Sequence, residues 1–146
     1  MEGQKRILLV SRDLVVLQTR KLMLGAYFEV CAAGRAVEAK ILLSKQPFDL
    51  MVLCYTLSGE EFDKTVAAAR VHCPAIKILL LTVDGNAACK DVAEFYYLPA
   101  ERGPFMLVRK SAELLGFEFR SKGRMVRAPQ PGLTGGPGTA IVPNAT

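Results

Sequence analysis

Few side chains in this sequence are equipped for chemistry, and several of them stand at the ends of apolar runs. Cys54 closes the run Leu50–Cys54, which lies between Gln46-Pro47 and a loop ending in Gly59. Ser11, Arg12 and Asp13 follow the run Ile7–Val10, and Thr82 closes the run that starts at Ile76. A thiol acts as a nucleophile only as thiolate, and a neighbouring cation lowers its pKa. Cys54 therefore has two readings, a redox-sensitive thiol or a small buried apolar residue. Arg12 likewise has two. It is an exposed arginine at a helix start, or a guanidinium that bonds Thr82 and carbonyls at the strand ends.

The remaining reactive residues do not combine. Cys31, Cys54, Cys73 and Cys89 are far apart, with no C-x-x-C pair, and His72 is the single histidine. That spacing supplies no zinc site. A nucleophile–base pair is missing too, with His72 at a remote helix end. The loop Ser11-Arg12-Asp13 has no G-x-G-x-x-G and too little Ser, Thr or Gly to wrap a flavin phosphate. No catalytic residue, metal or cofactor is expected, and the chain does not read as an enzyme.

The elements that position these residues alternate regularly. Lys5–Val10 reads as a strand and Asp13 as the cap of a helix from Leu14 to about Leu24, with Gly25 as the left-handed residue closing it. Tyr27–Cys31 is a second strand. Arg35 to Lys45 is a second helix, with Val37, Ile41 and Leu42 on one face. Leu50–Cys54, apolar throughout, suits a strand buried on both faces. Glu60 to Val71 is a third helix with acids in its first turn, and Ile76–Thr82 a fourth strand. Asp84-Gly85-Asn86 is a turn before a short helix, Ala87 to about Val92. Glu94–Leu98 is a fifth strand, and Pro104 opens a last helix to Leu115, before Gly116.

This alternation predicts an α/β protein with right-handed crossovers. Its compact form is the flavodoxin-like three-layer α/β/α sandwich, with five parallel strands in order 2-1-3-4-5. Such folds place their chemistry where the strands end, hence at Cys54 and Ser11.

Charge is unevenly spread. The chain has 146 residues and a net charge of +5. From Arg120 onward stand Arg120, Lys122, Arg124 and Arg127 and no acid, so the nearly neutral body leaves its excess to the tail. The predicted organisation is a domain over 5–118 and a disordered, basic, Gly/Pro-rich tail over 119–146. No apolar run approaches the ~18–20 residues of a membrane span. Nor does the N-terminus look like a signal peptide. A soluble, cytoplasmic protein without membrane contact is expected.

Four segments together carry a resemblance: Lys5–Val10, Phe48–Leu53, Ile78–Thr82 and Gly103-Pro104-Phe105. They resemble the framework of a response-regulator receiver domain, CheY-like, over residues 5 to about 116. The resemblance implies a phosphorylated Asp after the third strand and an acid pair after the first that holds Mg²⁺. It also implies a hydroxyl ending the fourth strand and a Lys before the last helix. At the matching positions this chain has Cys54, Ser11 and Arg12, Thr82, and Gly103 (or Ala100, in the register that follows Tyr97-Leu98). Mg²⁺ needs carboxylates and waters. Like unit charges ~4 Å apart repel by ~4 kcal/mol at an effective dielectric near 20, and a divalent ion beside Arg12 meets about twice that. No Mg²⁺ site and no aspartyl phosphate are expected.

The resulting expectation is a stand-alone, atypical receiver-like protein of a two-component or phosphorelay system, acting through phosphorylation-independent protein–protein contact. Its partner would be a histidine kinase, another regulator or a second copy. Phe95, Tyr96 and Tyr97 on the fifth strand are candidates for that interface, or alternate between core and surface. The alternative is a non-specific nucleic-acid-associated protein. Four basic tail residues give weak, salt-sensitive contact with about four phosphates.

Overall fold

A computed structural model describes residues 5–83, 95–119 and 125–127. The chain divides into two units, Met1–Leu115 and Gly116–Thr146. In the first, β1 (Arg6–Val10), α1 (Leu14–Gly25), β2 (Glu29–Ala33), α2 (Ala36–Lys45) and β3 (Leu50–Leu53) lead to α3 (Gly59–His72). Then come β4 (Lys77–Thr82), β5 (Phe95–Pro99), a 3-10 turn (Ala100–Arg102) and α4 (Pro104–Leu114). All sheet pairings are parallel and the order is β2-β1-β3-β4-β5, as the alternation predicts. The expected helix over Ala87–Val92 and its turn lie outside the described residues.

The middle strands have no polar face because helices cover both sides. Every residue of β3 is buried, and so are Ile7 through Val10 of β1. Successive side chains point to opposite faces. Leu8, Val10, Met51, Leu53, Ile78 and Leu80 therefore share one core with Ala39 and Leu43 of α2 and Ala68 and Ala69 of α3. Val52, Leu79 and Leu81 point the other way, the side of α1 and α4. Asp49 aligns the sheet's entry: its Oδ2 accepts the Arg6 N–H at 2.9 Å, and its own N–H bonds the Arg6 carbonyl at 2.9 Å.

Several local readings change. The second strand lies two residues later than Tyr27–Cys31, because Tyr27 and Phe28 close α1 instead, with both N–H groups bonded to the Leu24 carbonyl. Gly25 sits inside α1 and the cap is Ala26 at φ −69°, a right-handed ending that needs no glycine. Cys54 stands one residue past β3, although its N–H still bonds the Val10 carbonyl at 3.0 Å.

In α2 the inward stripe is Ala36, Ala39 and Leu43, leaving Val37 61% and Ile41 48% exposed. The reason lies across the fold: the Ala36 N–H donates to Glu61 Oε1 at 2.7 Å, which ties the start of α2 to α3 and fixes its rotation. A helix with apolar residues on most of its circumference cannot be phased from periodicity alone.

Two polar side chains near α4 test the packing, Lys77 at an exposed position and Ser111 at a buried one. Lys77 Nζ, at the start of β4, donates to the Leu114 carbonyl at 2.8 Å and satisfies the end of α4. Ser111 of α4 is fully buried, and its hydroxyl has no hydrogen-bond partner among the described residues. Ser111→Ala is expected to stabilise the protein by about 1 kcal/mol, since it removes an unsatisfied buried polar group and improves helix propensity. Urea unfolding checks this; a midpoint unchanged or lowered contradicts it.

In the second unit, β6 (Phe117–Phe119) pairs antiparallel with β7 (Met125–Arg127), and the Arg127 guanidinium lies 5.2 Å from the Phe117 ring centroid. Regular structure thus occurs at Phe119 and at Met125–Arg127, inside the segment from 119 onward that composition reads as disordered. These short runs carry Phe and Met-Val beside the polar composition that dominated the reading. Residues 128–146 lie outside the described residues.

Candidate functional site

The carboxyl ends of β1 and β3 bring Ser11 and Cys54 together by continuing the sheet's hydrogen bonds one step. The Ser11 N–H bonds the Ala33 carbonyl at 3.1 Å, and Cys54 follows Leu53 against Val10. A turn closed by the Leu57 N–H on the Cys54 carbonyl, 3.2 Å, folds Thr56 back over this edge. Thr56 Oγ1 then accepts the Arg12 N–H at 3.0 Å and lies 3.3 Å from Ser11 Oγ. Ser11 Oγ also accepts the Asp13 N–H at 3.2 Å. Ser11 is fully buried and satisfied.

The cation beside the thiol is Arg20, not Arg12. Arg20 Nη1 donates to Cys54 Sγ at 3.2 Å. Arg12 is exposed, and its bond in this cluster comes from the backbone N–H. Cys54 is 3% exposed, and burial pushes its thiol up. The Thr56 N–H, the Ser11 hydroxyl, Arg20 and the Thr56 hydroxyl more than offset that, so its pKa is lowered from the ordinary 9.0. Donors that favour the anion outweigh its desolvation.

Sequence reasoning missed Arg20 and Thr56. A signal for Arg20 was present: it falls three residues after Leu17 and four before Leu24, the two buried residues of α1. A cation in the inward stripe of a helix needs a partner at the sheet. Thr56 left no comparable mark, because the five-residue loop from Cys54 to Ser58 can point its hydroxyl anywhere until its turn is fixed.

Asp13 caps α1 as expected, with Oδ1 accepting from the Val15 and Val16 N–H groups at 3.1 and 3.2 Å. Thr82 ends β4 half-buried, in register with Pro99 of β5. Gly103 caps α4 at φ +92° and ψ 168°. That region is essentially reserved for glycine.

Magnesium does not fit this set. Mg²⁺ requires hard oxygen ligands in near-octahedral array. Around Cys54 the side chains supply a thiol, a guanidinium and two hydroxyls, and the Asp13 carboxylate is engaged in capping. No group of three His, Cys, Asp or Glu side chains gathers anywhere among the described residues.

Phe95, Tyr96 and Tyr97 do not form one surface. Phe95 and Tyr97 pack against the core shared with α2 and α3, where Phe95 meets Phe62 edge-on at 6.0 Å and Arg70 at 5.6 Å. Tyr96 points to the other side and is 38% exposed.

Among solved structures, this chain is similar to a CheY-like response-regulator receiver domain protein from Methanospirillum hungatei JF-1. The two share 26% identity at TM-score 0.66, over 77% of this chain and 94% of that one. It is equally similar in shape to the signal receiver domain of an HD domain-containing protein from Pseudomonas fluorescens Pf-5, at 24% identity, TM-score 0.66 and the same coverage. The fold is that of a receiver domain. A third receiver-fold structure, from a Pseudomonas aeruginosa PAO1 sensor histidine kinase, shares 20% identity at TM-score 0.62, over 79% of this chain and 99% of that one. That structure holds a magnesium ion in its active-site cleft. No family model and no curated protein matches the sequence. No helix among the described residues is long and apolar enough to cross a membrane.

Proposed function

We propose that this chain is a docking module of a two-component or phosphorelay system, built on the receiver fold and working without phosphoryl transfer. One observation carries the reading: the carboxyl end of the central strand presents a thiol bonded to the Arg20 guanidinium, at the position where the resemblance implies a phosphoacceptor carboxylate. A thiol with that partner neither recruits Mg²⁺ nor forms an acyl phosphate, so the surface keeps one state. The receiver-fold neighbours support the signalling context. A histidine kinase, another regulator or a second copy of this chain would be the partner, engaged through helix and sheet-edge surfaces.

Incubation with acetyl phosphate and Mg²⁺ is expected to leave the intact mass unchanged, and beryllofluoride to leave the amide spectrum unchanged. A stable phosphoryl adduct, or magnesium bound near Cys54, overturns the reading.

A second reading rests on the tail, where Arg120, Lys122, Arg124 and Arg127 stand without an acid. Association with nucleic acid through these four charges predicts a log–log salt slope of about −3 to −4. Retention on DNA at moderate salt, abolished when these residues become glutamine, would favour it.

A further inference from the structure

The face of α2 that packing left outside forms one wall of a groove whose other wall is α3. The groove has a volume of about 620 Å³. Val37, Ala67, Ala68 and Val71 give it an apolar lining, with Val37 61% and Val71 73% exposed. Along its rim stand Arg35, Lys40 and Lys64, all exposed, against the single carboxylate of Glu61. That carboxylate is turned inward, holding the Ala36 N–H at 2.7 Å. Lys64 does touch Glu60, at 3.1 Å, but both side chains are more than 60% exposed, and such pairs are weak and screened.

We infer that this groove receives an acidic amphipathic helix of a partner protein. The charge selects the sign. Three exposed cations around an apolar strip attract carboxylates flanking an apolar stripe, which sets approach and register while the apolar contact supplies affinity. The length selects the form. From Glu61 to His72 the α3 wall runs about 16 Å at 1.5 Å per residue, which is three turns of a docked helix. The same charge argues against the chain's own tail, whose residues from Arg120 onward carry four cations and no acid. This inference rests on the docking reading above and names its surface.

The test is a titration of the full chain, observed by amide NMR, with a synthetic helical peptide of about 14 residues. The peptide carries leucines at i, i+3, i+4 and i+7 spacing and glutamates on the flanks. Shifts are expected at Val37, Lys40, Ala67 and Val71, saturating in the micromolar range. The double change Lys40→Glu and Lys64→Glu is expected to weaken binding by roughly tenfold or more. Both positions are exposed, so the spectrum of the free variant verifies that its fold is kept. A peptide with lysine in place of glutamate is expected to shift none of these amides.

Equal response to the lysine peptide, or none at millimolar peptide, overturns the groove. So do concentration-dependent shifts of the same amides without peptide, which assign it to a second copy. Shifts produced by a peptide of residues 120–146 assign it to the tail and overturn it likewise. Peptide shifts centred on Tyr96 instead remove this surface while leaving the docking reading standing.

Discussion

Met51→Ala is expected to remove about 3 kcal/mol of stability, within the 2–5 kcal/mol that buried Met-to-Ala changes cost. Met51 is fully buried at the middle of β3, between Leu8 of β1 and Ile78 of β4 in the ladder. The parallel sheet leaves it no route to solvent, and rigid strands on both sides cannot collapse into the space it vacates. Against a total of about 5–15 kcal/mol for a domain, that is a large share. Urea denaturation gives the value directly. Val71→Ala, at an exposed position of α3, is expected to stay within about 0.5 kcal/mol and serves as the contrast. A Met51→Ala protein that unfolds at the wild-type midpoint would contradict the assignment of β3 as the centre of the core.

The second large effect concerns Cys54. Site-resolved alkylation with a small neutral reagent is expected to titrate at Cys54 with a midpoint below 9.0, despite the residue's burial. Arg20→Met is expected to move that midpoint up, because it removes the guanidinium that bonds the thiolate. Stability carries the matching sign. A group with a lowered folded pKa contributes stability that is fully present above its unfolded value, and that is lost as pH falls through the folded value. Relative to Cys54→Ser, the wild type therefore gains stability as pH rises toward 9.0, and Arg20→Met narrows that window. A Cys54 midpoint at or above 9.0, or one indifferent to Arg20→Met, contradicts the geometry.

How much of this was legible in the sequence depends on how local its cause is. The strands could be read because Ile7–Val10 and Leu50–Leu53 are apolar without interruption, which only a doubly covered sheet tolerates. Their order followed from the alternation of elements. Asp13 as a cap was legible for the same reason, since its partners Val15 and Val16 are two and three residues away.

What escaped was decided at long range. The rotation of α2 depends on Glu61, twenty-five residues from the Ala36 N–H it accepts. The cation on Cys54 comes from Arg20, two turns into α1 and thirty-four residues back in sequence, rather than from Arg12 just past the end of β1. Ser11 and Cys54 stand just past the ends of β1 and β3, yet the group that joins them, Thr56, takes its position from a turn whose geometry the residues alone left open.

Gly103 carries an implication for how freely this loop can be redesigned. The backbone at φ +92° and ψ 168° strains any L-residue with a Cβ, although open space surrounds the position. A side chain there, lysine included, has room but no relaxed backbone to stand on, so grafting one means rebuilding the turn from Pro99 to Pro104 first.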